Sequence, residues 1–121
     1  MYDQIPLVYK IVEAFDIPIY IKKGYEADDV IGTVVEKLKK ENVESIIVTG
    51  DMDMLQLVDD KVKVYELRKG LSDIVLFDAA KVKEKYGFGP EMVVEYKSLR
   101  GDASDNIPGI KGIGEKTATE L

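Results

Sequence analysis

The sequence predicts an α/β fold with a mainly parallel sheet and flanking helices, followed by an all-helical part. Three observations carry this. Apolar residues at helical spacing alternate with short β-branched runs over residues 1–77. The run Ser45-Ile46-Ile47-Val48-Thr49 is continuously apolar, as expected of a strand covered on both faces. From Asp78 onward the strand-like runs stop, and helical stretches are separated by Gly- and Pro-rich breaks. Strand–helix–strand alternation implies parallel strands joined by right-handed crossovers.

Taken in order, residues 3–16 read as an amphipathic helix, with Ile5, Val8, Val12 and Phe15 at helical spacing. Ile17-Pro18-Ile19-Tyr20-Ile21 reads as a short buried strand. A helix follows over 27–42, its apolar side formed by Val30, Ile31, Val34, Val35 and Leu38. Its last turns carry Lys37, Lys39 and Lys40, where cations suit the helix dipole. After the strand at 45–49, Gly50 leads into a short helix at 52–58 and a strand at 62–66. Lys69-Gly70 marks a turn and 74–77 a further strand. Asp78 is placed to cap a helix reaching Lys85, and Gly87-Phe88-Gly89-Pro90 breaks it. Pro90 opens the next helix, which runs to about Leu99. Residues 101–114 are loop-rich, and a last helix begins near Lys116.

The 121 residues suit one domain or part of one, with enough chain for a single core. No apolar run approaches the ~18 residues of a membrane span, and no leader pattern opens the chain. The absence of cysteine excludes disulfides and thiolate metal sites and fits a cytoplasmic location. A net charge of −6 argues at first against a nucleic-acid partner. Yet seven of the 23 acids fall in three tight clusters, and the remaining 16 face 17 bases. Charge alone leaves the partner open.

Those clusters are Glu26-Ala27-Asp28-Asp29, Asp51-Met52-Asp53 and Asp102-Ala103-Ser104-Asp105. With neither His nor Cys in the chain, a metal site must use oxygen ligands, which suits Mg2+ or Mn2+. Carboxylates sharing one pocket repel one another unless cations neutralise them. Such crowding is useful where two ions stand about 4 Å apart for phosphoryl chemistry. The first two clusters each follow a predicted strand, and working groups in α/β sheets lie beyond strand C-termini. Each cluster also has a structural reading: Asp28, Asp29 and Asp51 as helix caps, Asp102 and Asp105 as Asx-turn residues. A calcium loop at Asp51 is excluded, because Gln56 stands where Gly is required and Val62 where Glu is required.

Gly109-Ile110-Lys111-Gly112-Ile113-Gly114-Glu115-Lys116-Thr117-Ala118 has the spacing of a helix-hairpin-helix. Backbone amides that open a helix make a phosphate site needing no base contact. Structurally, the same glycines only permit a tight turn. A P-loop is excluded by Glu115, which stands where its Lys should be.

Gly24 to Asp29, Thr49 to Leu57, Gly101 to Gly109 and Gly112 to Ala118 resemble the 5′-nuclease superfamily in order, spacing and flanking residues. They most resemble the 5′–3′ exonuclease domain of bacterial DNA polymerase I and its free-standing relatives. The resemblance implies a PIN-like α/β nuclease part at 1–77 and a helical helix-hairpin-helix subdomain at 78–121. It implies a two-metal hydrolase, using Mg2+ or Mn2+, that cuts 5′ flaps, nicked duplex and RNA-primed ends in replication and repair. Glu26, Asp28 and Asp29 would serve the first metal region, and Asp51, Asp53, Asp102 and Asp105 the second. Lys111, Gly112, Ile113, Gly114, Lys116 and Thr117 would grip the duplex backbone, in that family often with a bound K+. A DNA polymerase, fused or separate, is the implied partner.

The family domain opens with a strand carrying a metal-binding Asp and with a basic helical arch. The resemblance places Met1 after both, so the sheet is expected to lack an interior strand and the isolated chain to cut poorly. Two other readings stand beside this one. A DNA-binding fragment without catalysis would use the hairpin alone. A PIN-type RNase would use the acidic pocket, although the hairpin speaks against it.

Overall fold

The structure, a computed structural model, describes residues 4–67 and 74–121. The turn expected at Lys69-Gly70 lies outside the described residues. The chain forms two compact units, Met1–Thr33 and Val34–Leu121.

In the first unit, helix α1 spans Ile5–Ala14, with Pro6 in its first turn, where the missing N–H costs nothing. No residue of α1 is buried: Val8 is 56 % and Ile11 58 % exposed. Periodicity identified the helix, but among the described residues its apolar stripe stays exposed, since periodicity does not report what covers a face. The strand expected at 17–21 is not formed. Neither sheet includes the segment, and Ile17, Tyr20 and Ile21 are exposed. A β-branched run becomes a strand only when a neighbour accepts its backbone hydrogen bonds, and Pro18 removes one donor. Helix α2, Ala27–Lys40, begins in this unit and ends in the next.

The second unit carries a three-stranded sheet in the order β1-β2-β3, with β1 at Ser45–Thr49, β2 at Val62–Leu67 and β3 at Ile74–Phe77. β1 and β2 are parallel, Ile47 opposite Val64. β2 and β3 are antiparallel, Val64 opposite Phe77. The described sheet is therefore mixed. β1 lies at its edge, and only Ile47 of its apolar run is buried; Ile46 and Val48 are each about 60 % exposed. The expectation of cover on both faces fails here, because a β-branched run reports strand propensity and not whether a second layer is present.

The core lies on the covered face. Val62, Val64, Phe77, Met54 and Leu55 meet Val82, Val93 and Tyr96 as the fully or nearly fully buried set. Each such Val, Leu or Phe contributes roughly 1.5–3 kcal/mol on burial. A 3-10 helix at Met52–Leu57 follows β1. Helix α3, Ala79–Tyr86, is capped by Asp78, whose carboxylate accepts from the Lys81 amide at 2.8 Å. It stops at Gly87, in left-handed conformation at φ 84°. A 3-10 turn at Pro90–Met92 leads into α4, Val93–Arg100. Two-residue strands β4, Gly101–Asp102, and β5, Ile107–Pro108, pair antiparallel, and α5 spans Glu115–Glu120.

Candidate metal centre

The short chain reversal after α4 aims one of the acids. Gly101 has φ 81°, and a Cβ there would collide with the backbone of Gly109 and with the Ile107 carbonyl. A Cβ on Gly109 would in turn collide with the Arg100 carbonyl. Only two glycines allow the β4–β5 strands to approach this closely to the end of α4. The Ile110 amide donates to the Leu99 carbonyl at 2.8 Å and closes the loop. Asp102 is thereby held beside the 3-10 helix that carries Asp53.

Asp51 caps that helix: its carboxylate accepts from the Asp53 amide at 2.9 Å, while its own amide donates to Thr49 Oγ1 at 3.0 Å. The structural reading of Asp51 as a cap is thus realised, and it leaves the Asp53 carboxylate free to point elsewhere. Asp53, Asp102 and Asp105 each offer an oxygen lying within 4.8 Å of the others. Ligand oxygens at about 2.1 Å from one ion stand at most about 4.2 Å apart, so slight side-chain rotation brings this all-oxygen set into the range of a hard divalent cation. The donor chemistry fits Mg2+ or Mn2+.

Asp102 Oδ1 accepts from both the amide and the hydroxyl of Ser104, at 2.9 and 2.5 Å, which is the predicted Asx turn. Its Oδ2 accepts from Lys97 Nζ at 2.5 Å. The same ammonium contacts Asp53 Oδ1. The Lys97 ammonium first, then the Ser104 hydroxyl and amide, hold the Asp102 carboxyl far below the usual carboxylate range. Sequence reasoning missed Lys97. It stands in α4 beside buried Tyr96 and one turn after buried Val93, so it borders the packed face. Nothing in the linear pattern ties it to Asp53, 44 positions away.

Two cavities share this group. One, of about 380 Å³, places Asp51, Asp53 and Asp102 with Lys97 against Tyr96 and Phe88. A smaller one, of about 240 Å³, adds Asp105. Of the seven predicted carboxylates, four therefore border two adjoining cavities.

Glu26, Asp28 and Asp29 stand in the first unit, and the carboxylates of Asp28 and Asp29 are satisfied at short range. Asp29 Oδ2 accepts from the Glu26 amide at 3.1 Å, and Asp28 Oδ1 from the Asp29 amide at 3.0 Å. Both acids stand inside the first turn of α2, so neither is its N-cap; Asp29 instead reaches back to the amide just before the helix, as in a capping box.

The predicted hairpin is open. Gly112 has φ 90°, and no atom lies within 4 Å of where a Cβ on Gly112 or Gly114 would stand. The Ile113 amide donates to the Ile110 carbonyl at 3.0 Å, and Gly114 is the N-cap of α5. Lys111, Lys116 and Thr117 are exposed beside it, and Ile113 is half-buried.

Residues 1–87 match the profile described as 5′-3′ exonuclease, N-terminal resolvase-like domain. Residues 88–121 match that of the 5′-3′ exonuclease, C-terminal SAM fold. DNA polymerase I of Bacillus subtilis is 44 % identical over 119 residues, covering 98 % of this chain and 14 % of the relative. DNA polymerase I of Caldicellulosiruptor bescii is 50 % identical over 120 residues, again 98 % of this chain and 14 % of the relative. The chain thus spans about one-seventh of the length of these relatives. Among solved structures, T5 5′-exonuclease with bound divalent zinc superposes with TM-score 0.86 at 22 % identity. That match covers 98 % of this chain and 42 % of the T5 protein, and it shows a shared fold. The catalytic core of Rad2 in complex with DNA substrate matches at TM-score 0.63 and 25 % identity, over 99 % of this chain and 35 % of Rad2.

Proposed function

This chain belongs to the 5′-3′ exonuclease family, and from that premise we propose that it forms part of a structure-specific 5′–3′ exonuclease and flap endonuclease. The observation that carries the reading is the meeting of Asp53, Asp102 and Asp105 oxygens within 4.8 Å, in a chain with no softer ligand. In this reading residues 1–77 supply the α/β nuclease part and 78–121 the DNA-binding part. Asp51, Asp53, Asp102 and Asp105 hold one divalent ion, Mg2+ or Mn2+, and Glu26, Asp28 and Asp29 serve a second. Held there, such ions would supply Lewis-acid chemistry for phosphodiester hydrolysis, activating a water and offsetting charge on the leaving oxygen.

The protein's own groups do the rest. The carboxylates fix the ligand set, and Ser104 holds Asp102 in one rotamer by two hydrogen bonds. The glycine turn at Gly112 and Gly114, with Lys111, Lys116 and Thr117, grips the duplex backbone without reading sequence. K+ at that turn, and a polymerase joined to the nuclease, belong to the same proposal.

The test is a 5′-end-labelled flap duplex with Mg2+ or Mn2+, cut by the protein as naturally encoded. Metal-dependent release of short 5′ products, abolished by EDTA and by Asp102→Asn, is expected. Duplex binding without cleavage would favour a DNA-binding role, which the open hairpin would then carry. Preferential cleavage of single-stranded RNA would favour a PIN-type RNase.

A further inference from the structure

We propose that Lys97 is a built-in counter-cation that holds Asp53 and Asp102 together before a divalent ion binds and is displaced from them when one does. The inference rests on the metal reading above and adds a residue to it.

Lys97 Nζ contacts one oxygen of Asp53 and one of Asp102, both members of the three-acid set. The three side chains are half-buried, at 26, 29 and 16 % exposure, so water screens the carboxylates less than on an open surface. Two like charges this close repel unless a cation stands between them. The ammonium supplies that cation from a rigid support, because α4 is anchored by buried Val93 and Tyr96 in the turn before it. Ser104 already occupies Asp102 Oδ1. On Asp102 the oxygen left for an ion is therefore the one that Lys97 holds, and an ammonium and a divalent ion brought to the same carboxylate repel each other.

The displaced ammonium stays tethered to α4 by its flexible stem, beside the same cavity. There it is a point charge available to a phosphate oxygen. Lys97 thus acts as a positioning residue: it keeps the carboxylates converged in the metal-free protein and yields them on loading.

Amine labelling read residue by residue tests this on the protein as naturally encoded. An N-hydroxysuccinimide acetate pulse, followed by peptide mass spectrometry, reports the reactivity of each lysine. In EDTA, Lys97 should label slowly. Mn2+ should raise its rate roughly tenfold, within the usual range for coupling between two ligands. Exposed Lys111 and Lys116 should not change. In the double variant D53N/D102N, Lys97 should label fast with or without Mn2+. Lys97→Gln should bind Mn2+ more tightly, again roughly tenfold, by electron paramagnetic resonance titration with D53N/D102N as the blank. Mn2+ held above that blank, with Lys97 labelling unchanged or slowed, overturns the exchange and leaves the metal reading intact. No Mn2+ above the blank in either wild type or Lys97→Gln overturns both. Equal or weaker Mn2+ affinity in Lys97→Gln overturns the competition.

Discussion

Two groups of acidic side chains are held by opposite means. Asp28 and Asp29 satisfy their carboxylates within three residues, on the amides of Asp29 and Glu26 at their own helix start. Asp53 and Asp102 meet across the fold, on an ammonium drawn from a third element. The first arrangement needs only a helix; the second needs α4, the β4–β5 reversal and the 3-10 helix all in register. The difference teaches where function is costly. A cap stabilises its helix whether or not a ligand ever arrives. Converging carboxylates instead oppose folding unless a cation is present.

The largest expected effect falls on the long-range cluster. Asp53→Asn or Asp102→Asn should lower flap cleavage by roughly 10²–10³-fold, the size of losing a main source of charge stabilisation. Duplex affinity should stay within about threefold, since the hairpin is untouched. Single-turnover rates beside a binding isotherm separate the two. Retention of wild-type rates by both variants would reduce the cluster to an ion-pair network.

Next comes the backbone that aims each cluster. Gly101→Ala should cost about 2–4 kcal/mol, from a left-handed φ combined with collision against Gly109. Gly24→Ala, at φ 86° but with open space around it, should cost only about 1 kcal/mol. Urea midpoints of the two variants measure this. Equal costs would mean that the close approach at Gly101 relaxes freely.

A smaller effect sharpens the short-range cluster. Asn still accepts an amide hydrogen bond, so Asp29→Asn should change stability by less than about 0.5 kcal/mol. If its carboxylate also serves a metal, as proposed, cleavage should fall about tenfold or more. Unchanged cleavage would leave Asp29 a cap and nothing else.

The smallest effect comes from a cluster away from the site. Burial pulls the Asp59 carboxyl upward, but the hydrogen bond from Lys39 and those from the Lys61 and Val62 amides outweigh it and lower it below 3.8. Asp59 and then Glu36 raise Lys39 above 10.5. A depressed carboxyl stabilises the fold above its ordinary value and loses that contribution as pH falls through the folded one. A raised ammonium contributes below 10.5 and loses it as pH rises past the folded value. Wild type should therefore exceed Asp59→Asn by less than about 1 kcal/mol on a plateau between those limits, the half-exposed pair being screened by water. Urea unfolding across pH would show the gap closing at both ends; a gap that persists in acid would assign it to packing.

Much of the local structure was legible in the chain. Asp78 and Gly87 bracket α3 by cap and left-handed stop, and both signals act within one helical turn. The short helix after Gly50 and the turn at Gly112 were legible for the same reason. The segment 17–21 was misread because its β-branched residues report what the backbone prefers, not whether a partner strand lies alongside. The exposed faces of α1 and β1 were misread likewise, since periodicity shows which side is apolar and not what covers it.

By itself, the sequence determined the ligand chemistry, because a chain without His or Cys offers oxygen alone. It also determined the positions of the acids relative to their own strands and helices, and the glycine turn at Gly112. Only the tertiary structure decided which carboxylates share a space. Asp51 turned inward to its own helix, Asp53 outward to Asp102 and Asp105, and Lys97 came between two of them. The physical reason is range. Caps, turns and propensities act over three or four residues, whereas charge acts through space, and only the packed core brings residues 53, 97 and 102 within reach of one another.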